Sequence, residues 1–250
     1  MTTPSRAERP RAVAAALGLG LGLAAAVGLA VAPSPAAAAP VVFTELTGTT
    51  GGSPAATGVF RADLSGLGLG QIASLTIADN SGGLGGSPGA FSGFDLDAVV
   101  ISTVLIGDAS LVGTLTRAAT LDLAGAVFAA GAQRPPLAPA LFGTAGGAVD
   151  GAAATLDAFD GNSTTAIPGA AGFVSLGDGG VLSVNLTSAI PVSSPLYLYI
   201  GEVGNNGEVA ASSVTVSSTP VPEPAALAVF GAGLAALGLA RRRRAAAAPG

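Results

Sequence analysis

Ser183-Val184-Asn185-Leu186-Thr187 and Ser213-Val214-Thr215-Val216-Ser217 alternate apolar with hydroxyl or amide side chains. Period-two alternation sorts the two kinds onto opposite faces of an extended strand, so each stretch reads as a strand with one wet face. Working outward, 41–46, 58–64, 72–78, 96–106, 174–176, 181–186, 196–200 and 213–217 show alternation or β-branched enrichment. Between them Gly51-Gly52-Ser53-Pro54, the stretch 80–89, Gly177-Asp178-Gly179-Gly180 and Gly204-Asn205-Asn206-Gly207 supply turn chemistry. Short strands at this spacing predict an all-β protein, an antiparallel β-sandwich. Two alanine-rich stretches, Leu121 to Ala132 and Asp150 to Phe159, predict short helices within it. No fixed-period repeat is present, which argues against a solenoid of stacked calcium turns.

The two ends have a different composition. Arg6, Arg9 and Arg11 precede an apolar stretch from Val13 to Val31 and a small-residue segment from Ala32 to Ala39. This is the pattern of a secretory signal peptide, residues 1–38, with signal peptidase expected to cut between Ala38 and Ala39. The alternative is an uncleaved anchor, since a run of that length can span a bilayer. At the other end Val221-Pro222-Glu223-Pro224 is followed by an apolar run, Ala225 to Ala240, and then by Arg241-Arg242-Arg243-Arg244. Sixteen helical residues at ~1.5 Å each span about 24 Å, short for a ~30 Å hydrocarbon core, and the arginines would hold their end on the cytoplasmic side.

The order of motif, apolar helix and basic cluster resembles the PEP-CTERM sorting signal of Gram-negative bacteria. That resemblance implies recognition and removal by an exosortase, a membrane protease, after transient anchoring by the C-terminal helix. It also implies a surface or biofilm-matrix protein associated with exopolysaccharide. A second likeness lies in the body. Phe173-Val174-Ser175-Leu176-Gly177-Asp178-Gly179-Gly180 with the strands after it is similar to a pattern in bacterial secreted surface proteins, and Ser92-Gly93-Phe94-Asp95-Leu96-Asp97-Ala98-Val99 looks like a phrase recurring in PEP-CTERM proteins. This likeness implies a jelly-roll-like extracellular domain with no transferable catalytic residues. The expected organisation is a sandwich domain over 39–216, a linker over 217–220 that leaves the motif accessible, the sorting signal over 221–244 with its membrane helix at 225–240, and a tail over 245–250.

The body keeps only Arg61, Arg117 and Arg134 against thirteen acidic residues, a net charge of about −10, with no lysine and no histidine. No basic patch can track phosphates, which argues against nucleic acid as a partner. The absence of cysteine removes disulfides and thiolate sites, and the absence of histidine removes the common general base and zinc ligand. The one remaining hydrolytic arrangement is a carboxylate pair, Asp95 and Asp97, which stand about 6 to 7 Å apart along a strand. Such pairs in glycosidases sit among aromatic platforms, and this chain has no tryptophan and only Tyr197 and Tyr199. The expectation is a protein that is not an enzyme.

Two binding sites remain as candidates. Asp79, Asn80, Asp95 and Asp97 flank one glycine-rich loop and would offer the oxygen ligands that Ca²⁺ takes. The competing reading makes Asp79-Asn80 a turn and puts Asp95 and Asp97 on the solvated face of an edge strand. Tyr197 and Tyr199 share a strand face and would form a small stacking platform for a glycan, or would simply cover the sandwich edge. Asp157-Ala158-Phe159-Asp160-Gly161-Asn162 lacks the spacing of an EF-hand loop and reads as a solvated turn. Asn162-Ser163-Thr164 and Asn185-Leu186-Thr187 match the N-glycosylation pattern without a bacterial reason for its use.

Overall fold

A computed structural model describes residues 37–51, 56–161, 172–192, 195–208, 214–222 and 234. In chain order the strands are β1 Ala38–Pro40, β2 Thr44–Glu45, β3 Thr57–Asp63, β4 Gln71–Ala78, β5 Asp95–Ser102, β6 Leu121–Ala129, β7 Thr144–Ala145, β8 Ala148–Val149, β9 Val174–Ser175, β10 Val181–Pro191, β11 Tyr197–Val203 and β12 Val214–Ser217. They form a sheet in the order β1-β12-β4-β10-β6, a second in the order β2-β3-β11-β5-β9, and a small β7-β8 pair. Every pairing between these strands is antiparallel.

With β2, β6 and the β7-β8 pair set aside, the remaining eight strands lie in the order first-eighth-third-sixth in one sheet and second-seventh-fourth-fifth in the other. That is the jelly-roll arrangement, in which the chain passes back and forth between two packed sheets. Both sheets contribute to one core. Leu75, Ile77, Leu182, Val184, Val214 and Val216 come from the first, and Ala62, Leu96, Val99, Ile101, Leu198 and Ile200 from the second. The alternation in β10 is what puts Leu182, Val184 and Leu186 inward while Ser183 and Asn185 point to the opposite face.

Two expectations about local structure are overturned. Leu121 to Ala132 is no helix: Leu121–Ala129 is an edge strand on β10, with a bulge between Ser183 and Asn185 of its partner. Its alanines mask a period-two signal, since Leu121, Leu123, Ala126 and Phe128 are the residues that pack on the core. Asp150 to Phe159 is no helix either. Asp150 caps a turn by accepting from the Ala152 N–H at 3.0 Å, and Leu156 takes φ 52° and bonds through its carbonyl to the Val99 N–H at 3.0 Å. Burying Ala154 and Leu156 in the sheet core outweighs alanine's helix propensity.

Of the expected strand over 41–46 only Thr44–Glu45, β2, is a strand; the buried Val41 lies between it and β1, which precedes the expected range. The sandwich begins at Ala38, opposite Ser217 on β12, and the Ala37 carbonyl accepts from the Ser218 N–H at 3.0 Å. The expected signal-peptide residues ahead of these lie outside the described residues.

Candidate functional sites

Asp79 leaves β4 at the start of the glycine-rich loop, and its carboxylate is spent on the protein itself. Oδ1 accepts from the Phe94 N–H at 2.9 Å and the Ser81 hydroxyl at 2.7 Å, and Oδ2 accepts from the Gly179 N–H at 2.9 Å. These bonds tie three loops together and leave little lone-pair capacity for a cation. Asn80, grouped with it in the calcium expectation, is exposed.

Asp95 and Asp97 both lie on β5, but their partners are on opposite sides of that strand. Asp95 accepts from the Ser175 hydroxyl on β9 at 2.5 Å. Asp97 accepts from the Thr57 hydroxyl on β3 at 2.6 Å and from the Gly161 N–H at 2.7 Å. Neither is on a solvated edge, because β5 is buried along its whole length between β11 and β9. Burial pushes the Asp95 carboxyl well above its ordinary value, against the Ser175 hydrogen bond, with further upward pressure from Glu208 and Glu202. Burial likewise pushes Asp97 up to about 7, against its bonds to Thr57 and Gly161. The four expected calcium ligands are thus not brought to one point, and among the described residues no group of three or more acids is arranged to hold a metal ion.

The loop end instead gathers residues far apart in sequence around a cation of the protein's own. Arg134 comes after β6, donates through Nη2 to Glu208 Oε1 at 2.8 Å, donates through Nη1 to the Gly85 carbonyl, and has Nε 3.3 Å from Asp178 Oδ1. Gly86, at φ 63°, lies so close that a Cβ there would overlap Glu208 Oε1, so any other residue would be strained and would displace the Glu208 carboxylate from Arg134. Burial raises Glu208 to about 7, while Arg134 pulls it down and Asp79 and Asp178 push it up. Glu202, only 1% exposed, is raised to about 9 by burial and then by Glu208. Its two oxygens make no well-formed hydrogen bond, although the Asn205 and Asn206 N–H groups lie close enough to oppose part of the rise. Sequence reasoning missed Arg134, Glu202 and Glu208. The one available signal was a glutamate inside the otherwise uncharged strand β11.

Tyr197 and Tyr199 do share a face, with ring centroids 6.4 Å apart. That face is the outside of the second sheet, where Leu46, Val59, Val100, Ile106 and Ala109 cover it in a second apolar cluster. Tyr199 is fully buried, its hydroxyl donating to the Val104 carbonyl at 2.8 Å and accepting from the Ile106 N–H at 3.0 Å. It is a support for the 104–106 segment, and the expected glycan platform is not there. Beside this cluster is an open cleft of about 590 Å³ whose lining includes Val112, Leu115 and Phe159, with Thr50, Ser110, Arg117 and Asp157 as its polar groups.

The segment expected to be a free linker is fastened to the first sheet. After β12, the Ser218 carbonyl accepts from Gln71 Nε2 at 3.0 Å and the Thr219 carbonyl from the Ser74 hydroxyl at 2.8 Å. Val221 is held at both backbone groups: its N–H donates to Asn185 Oδ1 at 2.7 Å and its carbonyl accepts from Asn185 Nδ2 at 3.0 Å. Ser74 and Asn185 are direct cross-strand partners on β4 and β10, so residues 218–221 run from β12 across β4 to β10. The chain is then described only to Pro222, which is exposed.

The residues from the end of that strap onward decide where the protein goes. The chain carries a PEP-CTERM protein-sorting motif, matched over residues 220–244. The motif implies export, anchoring in the membrane by the C-terminus, and processing by an exosortase. Val221 to Pro224 and Arg241 to Arg244, the residues expected to form it, fall inside the match. The PEP-CTERM match covers the strap's last residues and none of the sandwich strands. No curated protein and no solved structure matches the chain. Among the described residues no helix is long and apolar enough to cross a membrane. The helix expected over 225–240 lies outside them, apart from the single helical residue Leu234.

Proposed function

We propose that this is a structural or binding protein of the cell surface or extracellular matrix, released from its membrane anchor by exosortase and accompanying exopolysaccharide, without catalysis of its own. The sorting motif at 220–244 carries the reading. The sandwich supports it, because the carboxylates that would serve a hydrolase are committed elsewhere: Asp95 to Ser175, and Asp97 to Thr57 and Gly161. A carboxyl group that is buried and already hydrogen-bonded offers no pair flanking a glycosidic bond. The net negative body also suits a matrix in which proteins must stay soluble at high density.

Contact with a polar polymer is best supported at the cleft beside β5. The Phe159 ring supplies an apolar surface, and Arg117, Asp157, Ser110 and Thr50 supply hydrogen-bonding groups around it. The first experiment is mass spectrometry of the C-terminus of protein recovered from envelope and medium of the native host, with and without exosortase. A new terminus near Pro222-Glu223-Pro224 that needs the exosortase supports the reading. A terminus reaching Arg244 in both hosts overturns it.

A further inference from the structure

We propose that Asn185 is a positioning residue for the processing of the sorting motif: it holds Val221 against the sandwich, and exosortase acts only after this strap has opened. The proposal rests on the motif being an exosortase substrate, and goes beyond it by assigning a gate within the folded domain. The segment Pro220-Val221-Pro222-Glu223-Pro224 has three prolines, and proline has no N–H. Val221 and Glu223 are therefore the two residues in it that can donate a backbone hydrogen bond. Proteins that bind an extended segment do so largely by pairing with its backbone N–H and C=O groups. Asn185 takes both such groups of Val221, at 2.7 and 3.0 Å, in the manner of a partner strand.

The site is built for this contact. Asn185 is 7% exposed although its side chain is on the outer face of β10, because the strap lies over it. Its cross-strand neighbour Ser74 holds Thr219 two residues earlier, and Gln71 holds Ser218. The strap thus ends at Val221, the residue immediately before Pro222-Glu223-Pro224. A protease that pairs with the segment at Val221 must displace Asn185, so its rate scales with the fraction of molecules in which the strap is open.

The test is pulse-chase processing of the full-length protein in its exosortase-positive host, with the C-terminus read by mass spectrometry. Asn185→Leu removes both hydrogen bonds and is expected to speed appearance of the processed form about tenfold, the size of change that losing one to two net hydrogen bonds makes in an open-closed equilibrium. Asn185→Asp keeps an acceptor for the Val221 N–H but sets a carboxylate oxygen against the Val221 carbonyl in place of the donor, so its rate should also exceed wild type. Thermal melting of each released domain separates strap opening from loss of fold. Faster processing of Asn185→Asp with an unchanged melting temperature is the expected result, and a structural role alone would not give it. Rates equal to or below wild type in both variants overturn the gate while leaving exosortase processing intact. A wild type that stays unprocessed in this host overturns the gate together with the reading beneath it.

Discussion

The slab between the two sheets and the loop end around Arg134 both bury their side chains, yet they are held by different physics. In the slab, Leu75, Leu182, Val184 and Leu198 bury apolar surface, and other apolar side chains of similar volume would serve. At the loop end, Glu208 and Asp178 pair with the Arg134 guanidinium, which also lowers Asp95, while Glu202 is buried beside Glu208 and opposed only in part by backbone N–H groups. Burial stabilises the first region by itself. It stabilises the second only while protons or Arg134 neutralise the carboxylates.

The sharpest way to break this contrast is Arg134→Met, which keeps the bulk and removes the charge. Breaking a buried pair leaves an uncompensated ion, so the loss should be about 4 kcal/mol in urea denaturation. A loss near that of a surface substitution would show that the acids do not depend on Arg134. In the slab, Leu182→Ala should cost about 3 kcal/mol through lost transfer energy and a residual cavity, and this cost should not vary with pH. A pH-dependent cost would mean that the two regions are energetically linked.

Glu202→Gln should give the smallest change and the opposite sign. The folded state holds the Glu202 proton up to about 9 whereas the ordinary glutamate value is 4.5. The folded form therefore binds more protons than the unfolded chain between these values, and stability falls as pH rises through that window. Below 4.5 this penalty is absent, and above about 9 it is complete. Glu208 and Asp97, each raised to about 7, add to the decline in the lower part of the window. Denaturant midpoints should thus fall from about pH 5 to about pH 9. Glu202→Gln should flatten the profile and gain on the order of 2 kcal/mol at about pH 8. A wild-type profile that is already flat would place the Glu202 carboxyl in contact with water.

Much of the fold could be read before the structure, because a half-buried strand writes its burial into its own sequence. Val181 to Leu186 and Val214 to Ser217 have that alternation, and both are strands of the first sheet. Leu121 to Ala129 misled because alanine is common to helices and to strand faces that pack closely, and Gly125 interrupts the alternation. The candidate calcium loop misled for another reason. Sequence places Asp79, Asp95 and Asp97 near one turn, but whether an oxygen faces outward or inward depends on donors brought by Gly179, Ser175 and Thr57 from elsewhere in the chain.

The sequence alone determined the address and the class: a sorting motif at the C-terminus, an acidic body without histidine or cysteine, and antiparallel strands set by alternation. These are local properties, encoded by neighbouring residues and readable one segment at a time. Only the tertiary structure decided that Tyr199 is a buried support, that Arg134 joins Glu208 and Asp178, and that Asn185 holds Val221 across β4. Each is a meeting of residues 36 or more positions apart. Hydrogen bonds and charges act over a few ångströms, so their partners are chosen by how the two sheets bring distant segments together.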